Sequence, residues 1–438
     1  MARTRAFAAP KRLRPRRRVV IRAFTLRRDA ASALLLARFL KAHGCRVIVA
    51  SGRDFLRTIR HWRPDAVVVN TVGQIDRVAK EAPYAAIVLW SGEGAQAIES
   101  SDPTVLTSMP GAYDRLDLVL LWGRATGAFY RQLFPHSNHD KLDLCGNPRL
   151  DLAKFNPELM DVPPERKTVG FIGRYHTINR YNRIPTIFSM QRPEKRDGVI
   201  WQVETFICMI RLIHRILEET DLRISIRPHP LEAPEGYDFM EEGAFAGRVE
   251  IDDSLDLAQW TARQRVIVAP SSQSFYESYV LGVPVINTDG LTGDTEWIRK
   301  VTPHSSLSQL VSHNPATDDE AIELIKDAPK APRGNPTVDR HLDEFHDWFS
   351  PHSAAKRGAD AIIALLGGRE RVNGVRLPAG VLDLWDRASF ARARLYEPLH
   401  PNFNYHKHFH PTPAYFDRIV DNILAGRSIL PRPRLAAQ

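Results

Sequence analysis

From residue 18 onward, short aliphatic and β-branched runs alternate with amphipathic segments. Val19–Phe24, Cys45–Ala50, Ala66–Asn70, Ala85–Trp90, Leu116–Trp122 and Lys141–Cys145 have strand length and composition. Between them, Ala30–His43 places Leu34, Leu35, Phe39 and Leu40 at helical spacing, and Phe55–Trp62 and Ile75–Glu81 read as shorter helices. This β-α-β-α order predicts a parallel sheet covered on both faces. The rhythm breaks over 151–166, where Asn156-Pro157-Glu158 and Pro163-Pro164-Glu165-Arg166 have the composition of a linker. A second series follows, with strands at Thr168–Ile172, Leu222–Ile226, Val249–Asp252, Val266–Ala269 and Val283–Asn287. A long helix is expected over Trp201–Thr220, and shorter ones near 255–262, 273–281 and 305–313. Residues 314–366 are helical in pattern.

The 438 residues suit two α/β domains rather than one core. The pattern divides them into a basic arm (1–17), a first doubly wound domain (18–150), a linker (151–166), a second doubly wound domain (167–366) and a C-terminal extension (367–438). The composition, 43% hydrophobic and 25% charged, is that of a globular protein. No apolar run reaches the roughly 18 residues of a membrane span. Cys45, Cys145 and Cys208 are widely spaced and form no CxxC pair. They argue against a disulfide framework and fit a reducing, cytoplasmic setting. The net charge of +9 gathers at the start, where residues 1–28 are dense in Arg and Lys and hold no acid. No apolar stretch follows as in a secretory signal. An anionic surface at the inner face of the cytoplasmic membrane and a solvated basic tail both account for the run. Nucleic acid is not expected, because no interleaved aromatics or finger spacing accompany it.

Ligands of open α/β sheets sit beyond the carboxyl ends of the strands. The candidate loops are therefore Gly92–Gln96, Gly146–Asp151, Gly173–Asn179, His229-Pro230 and Ser271–Glu277. In the last, a strand runs into a Ser-rich turn (Ser271, Ser272, Ser274) and a helix. Ser271 or Ser272 is expected to cap that helix, its N–H groups to bind a phosphate, and Glu277 to reach ribose hydroxyls. An ordinary capped helix accounts for the same residues. Arg227-Pro228-His229-Pro230 follows a strand, so His229 is a candidate donor to a departing phosphate and Pro230 a stiffener of the loop. In Cys145-Gly146-Asn147-Pro148-Arg149-Leu150-Asp151, Gly146 allows a tight turn and Arg149 can hold an anion bidentately. A domain hinge with Asp151 capping a helix is the rival reading. Gly173 would let amides approach a phosphate, and Arg174 is a second candidate cation. Trp90-Ser91-Gly92-Glu93-Gly94 sets Glu93 between glycines at a strand end, a candidate general base.

These loops carry a resemblance. The Ser-rich turn with its acid-bearing helix resembles the donor-domain signature of GT-B glycosyltransferases. The His-Pro motif looks like that of bacterial sialyltransferases and the related Kdo and glycerophosphate transferases. The Gly146–Asp151 and Val169–Arg174 segments resemble the surface carbohydrate biosynthesis proteins, in order and spacing over about residues 30–300. The resemblance implies two Rossmann-like domains facing a cleft, an acceptor domain first and a nucleotide-sugar domain second, with a helical C-terminal extension. It also implies a CMP-linked donor gripped by Arg227, His229, Pro230 and the serines, and a glycan or lipid-linked glycan acceptor. Where the sialyltransferase-like families carry two acids before the glycine, this chain has Gly92 and Glu93.

No G-x-x-x-x-G-K-[ST] loop and no G-x-G-x-x-G fingerprint occurs. No required cofactor or metal is expected. Asp252-Asp253 precedes a helix, and His400, His406, His408 and His410 lack carboxylate or cysteine company. Two rival readings remain: an enzyme like the UDP-GlcNAc 2-epimerases, and a non-catalytic nucleotide- or glycan-binding protein of an assembly complex.

Overall fold

The structure is a computed structural model. It describes residues 16–92, 110–160, 166–180, 185–292, 305–370 and 415–430, with a few positions between 372 and 388. Eleven strands among these residues form two all-parallel sheets. The first holds β1 (Arg18–Arg22), β2 (Arg46–Ala50), β3 (Ala66–Val69), β4 (Ala86–Trp90), β5 (Leu118–Leu121) and β6 (Leu142–Leu144), in the order β2-β1-β3-β4-β5-β6. The second holds β7 (Thr168–Ile172), β8 (Arg223–Arg227), β9 (Val249–Ile251), β10 (Val266–Ala269) and β11 (Val285–Asn287), in the order β11-β10-β7-β8-β9. These strands coincide with the eleven apolar runs of the sequence.

The central strands are mostly apolar because both faces of each sheet are covered there, while the edge strands β6 and β9 carry exposed Asp143 and Glu250. Alternate residues feed two cores. Val19, Ile21, Val68 and Val88 pack on one side of the first sheet, while Val20, Val67, Val69, Ile87 and Leu89 pack on the other. The long helix begins at Pro193 rather than Trp201 and runs to Glu219. Its polar first turns hid it from the apolar pattern, but Pro193 sits where the missing N–H costs nothing.

The stretch read as a linker is different from that expectation. It opens inside the helix Pro148–Lys154, whose Leu150, Leu152 and Ala153 belong to the core. That core runs on without a break through Phe155, Trp260, Tyr276 and Trp348 into the second domain. The helix Ala354–Gly367, read as part of the second domain, lies along Ala31–Ala42 and against β5 of the first. Asp151 is the joint. Its carboxylate accepts from Ser353 Oγ (2.7 Å), Ala354 N (3.1 Å) and Ala355 N (2.9 Å), which caps the returning helix. Burial raises the Asp151 pKa, and Lys154 and these hydrogen bonds oppose the rise. The helix Tyr415–Leu424 closes the junction, with Asn422 donating to the Phe155 carbonyl.

The basic run is also partly absorbed. Arg17 donates to Asp65 (3.3 Å) and to the Leu366 carbonyl (2.6 Å), and Arg18 donates to the Trp62 carbonyl (2.8 Å). Arg22 and Arg27 are buried, and Arg28 is partly buried. Of the arm read as a membrane contact, residues 1–15 lie outside the described residues.

Asp151→Ala leaves three donors without an acceptor in a buried joint. It should lower unfolding stability by about 3 kcal/mol, measured by urea denaturation. A loss under about 1 kcal/mol would show that the joint is not what ties the helix down.

Candidate functional site

The carboxyl ends of both sheets open on one cleft. The loops after β1, β7, β8 and β10 and the first turn of the helix Pro148–Lys154 line it. Five guanidinium groups stand in its wall: Arg27, Arg28, Arg149, Arg174 and Arg227. Among the described lining residues, Glu277 alone is a carboxylate. Arg28 pairs with Asp29 (2.9 Å), Arg149 with Glu277 (3.2 Å) and Arg227 with Asp252. Arg27 and Arg174 donate to carbonyl oxygens, so the cleft keeps an excess of positive charge.

The loop after β8 is the best-defined part. Gly173 N donates to the Arg227 carbonyl (2.9 Å), and Glu232 N donates to the His229 carbonyl (2.8 Å). Arg27 reaches across from the first domain and donates to the carbonyls of Pro228 (3.0 Å), His229 (3.0 Å) and Glu232 (3.2 Å). Its burial lowers the guanidinium pKa to about 10, with nearby Arg227 adding to the drop. The His229 ring lies 5.0 Å from His176. Burial first, and then His176 and the surrounding arginines, push the His229 pKa well below 6.5. The imidazole is therefore neutral near pH 7. Leu231 N donates to Nδ1 (3.2 Å), so the ring proton sits on Nε2. The ring is a neutral hydrogen-bond donor rather than an imidazolium.

Other expected ligands have structural duties instead. Ser271 donates its hydroxyl to Asp289, accepts there from Asn287 (3.2 Å), and is fully buried. It borders the cleft, but its hydroxyl is taken and it does not cap the helix Ser274–Leu281. Ser272 does the local capping, accepting from Ser274 N (3.3 Å) and Ser274 Oγ (2.9 Å). The amides of Phe275 and Tyr276 bond to the carbonyls of Ser272 and Gln273, so the first N–H groups of this helix are taken within the turn. The Gly173 amide is likewise occupied, and its missing side chain serves packing: a Cβ would lie 2.7 Å from Glu232 Oε2 and Tyr237 Oη. Gly146 lies outside the cleft lining, and its φ of +98° makes the turn that brings Asn147 to cap the next helix at Arg149 N (2.9 Å). Asn147 Nδ2 lies 3.0 Å from His346 Nδ1, away from the cleft lining. Arg227 is held by Asp252 and Ser254 over the Trp260 ring, and Arg174 by the Ser271 carbonyl and Trp201. Both contribute charge from fixed positions. Pro230, Ser271, Ser272, Ser274 and Glu277 all line the cleft. Glu93 lies outside the described residues.

The sequence reading missed Arg27, Arg28 and Glu232. The first two were counted with the basic arm, although they follow β1 at the cleft end of the sheet. Glu232 is buried, accepts from Tyr175 N and Tyr237 Oη, and holds the His-Pro turn from behind.

No family model matches the chain, and no curated protein matches it. Among solved structures it is similar to the wall teichoic acid polymerase TagF. In one TagF structure the identity is 11%, over 80% of this chain and 89% of that one, with a TM-score of 0.50. A TagF variant soaked with CDPG gives 10% identity over 81% and 89%, with the same TM-score. The UDP-GlcNAc 2-epimerase of Methanocaldococcus jannaschii, in complex with UDP-GlcNAc and UDP, is 13% identical over 80% of this chain and all of that one, with a TM-score of 0.46. The fold is GT-B-like: two Rossmann-like domains across a cleft. Among the described residues, no helix is long and apolar enough to cross a membrane.

Burial raises the Glu232 pKa from 4.5 to about 7. The folded state then keeps a proton that the unfolded chain releases. Its contribution to stability is complete below about pH 4.5 and is lost as pH rises through about 7. Melting temperatures across pH 4.5–8 should fall more steeply for the wild type than for Glu232→Gln, and parallel profiles would refute the assignment.

Proposed function

We propose that this chain is a GT-B glycosyltransferase that moves a sugar from a nucleotide-activated donor, with a CMP-sugar placed first, to a surface polysaccharide or its lipid-linked precursor. One observation carries the reading: five arginines and an Nε2-protonated His229 surround one cleft at the carboxyl ends of two parallel sheets. A cytidine donor comes first because the His-Pro and Ser-rich loops resemble those of families that use cytidine nucleotides.

In this reading the donor phosphate lies among Arg27, Arg28, Arg149 and Arg174. As the bond from the anomeric carbon to phosphate breaks, negative charge grows on the departing oxygens. Guanidinium groups already fixed by carbonyls and carboxylates meet that charge without reorganising. His229 donates its Nε2 proton in a hydrogen bond, and the arriving anion offsets the desolvation that keeps the ring neutral. Arginine supplies the neutralising charge here, so the proposed mechanism needs no metal. Ser272 and Ser274 offer hydroxyls at the turn, and Pro230 limits the motion of the His229 loop. Glu277, steadied by Arg149, faces the ribose or base. Glu93 is proposed as the base that takes the acceptor proton. The proposed setting is the cytoplasm, peripheral to the inner face of the membrane.

Thermal melting with CMP, CDP, UDP and GDP tests the donor. CMP or CDP should raise the melting temperature of the wild type, and His229→Ala should weaken nucleotide affinity about tenfold or more. Stabilisation by UDP alone would move the donor to a UDP-sugar, and stabilisation by none would remove the transferase reading. Glu93→Gln should lower turnover by about 10²–10⁴-fold while nucleotide affinity stays within about twofold. Unchanged turnover would strike Glu93 from the mechanism.

A further inference from the structure

A narrow recess opens beside the cleft and shares Arg28, Ser32 and Arg149 with it. Its floor is the carboxyl edge of the first sheet. Arg22 ends β1, Asn70 follows β3, Trp90 ends β4 and Trp122 follows β5. It holds about 40 Å³, room for a group the size of about three waters and not for a whole sugar ring.

The polar groups of its wall are unevenly used. Asp29 is saturated: Phe24 N (3.0 Å), Thr25 N (2.9 Å) and Asn70 Nδ2 (3.0 Å) donate to one oxygen, and Arg28 Nε (2.9 Å) to the other. The Asn70 side-chain oxygen Oδ1 accepts from Arg22 Nη1 (2.8 Å), and its backbone carbonyl accepts from Gly92 N (2.9 Å). The carboxylate and amide oxygens are thus engaged, whereas the buried hydroxyl of Ser32, in the same wall, has no hydrogen-bond partner among the described residues. Trp90 and Trp122 are buried, at 6% and 2% exposure, yet neither indole Nε1–H has a hydrogen-bond partner. A buried donor without an acceptor is uncommon and costly, and the two tryptophans that carry these donors line the recess together with Arg22 and Arg28. The wall is rich in donors: two indole N–H groups, two guanidinium groups and the Ser32 hydroxyl, which can donate as well as accept. A group that only accepts, and carries negative charge, suits the wall.

We propose that this recess is an anion subsite, which grips a phosphoryl or carboxylate group on the acceptor substrate. Arg22 and Arg28 supply the charge, and the two indoles supply direction. The group would hang from the acceptor beside its reacting hydroxyl, at the first-domain side of the cleft. Its assignment to the acceptor rests on the donor reading above, whereas the anion site itself does not.

The test uses the full chain labelled with ¹⁵N at the tryptophan indoles. Signals of Trp90 and Trp122 are assigned with Trp90→Phe and Trp122→Phe. The wild type is titrated with glycerol 3-phosphate, glycerate and glycerol, and separately with CMP. Both indole signals should move saturably with one of the two anions, and the tighter one names the group. Glycerol should leave them in place. Arg22→Gln should weaken the anion response about tenfold without changing CMP affinity. The proposal is overturned if both anions leave the indoles unmoved, if glycerol moves them equally, or if Arg22→Gln has no effect. CMP binding without any anion response sinks the subsite and keeps the donor reading. An anion response without nucleotide binding does the reverse.

Discussion

One buried guanidinium holds the two domains in register. Arg27 leaves the loop after β1 and ends on three carbonyls of the turn after β8. A charge taken out of water is tolerated only when its donors are met, and carbonyl oxygens meet them without neutralising it. The His-Pro turn is thereby pinned to the first domain rather than left on the second, and the charge of Arg27 helps to keep the His229 ring unprotonated. The place of the His229 ring at the cleft and part of the positive field around it thus rest on that one side chain.

The other arginines divide along similar lines. Arg174 and Arg227 are clamped by their own domain, and Arg149 by Glu277 across the cleft. The arrangement resembles a rigid lattice of charge more than a set of mobile fingers. Such a lattice favours a polyanion of defined shape, because little conformational freedom is left to lose when one arrives.

The fold was legible because parallel strands covered on both faces must be largely apolar. The central strands such as β3, β4 and β10 announced themselves as short aliphatic runs, and the edge strands β6 and β9 did so more weakly, because each carries a charged residue. The candidate loops were legible from one rule, that ligands sit at the carboxyl ends of such strands. The duties inside those loops were not. Ser271 looks like a phosphate ligand until Asp289, on the far side of the next helix, takes its hydroxyl. Gly173 looks like room for a phosphate until Glu232 and Tyr237 fill that room. Arg27 carries the same charge as the arginines before it, and only the tertiary fold distinguishes a buried clamp from a basic tail. Composition records charge, not depth.

The Asp151 joint carries a mechanical meaning as well. The chain passes from the first domain to the second near Asn147 and comes back near Ser353, and the two crossings are stitched together. Asn147 N donates to the His346 carbonyl (3.1 Å), and Asp151 receives the returning helix. Two domains joined along one seam behave like the covers of a book with a single spine. Sliding or shearing of one past the other would break these bonds. Whatever enters the cleft therefore meets both walls at an angle set by the spine.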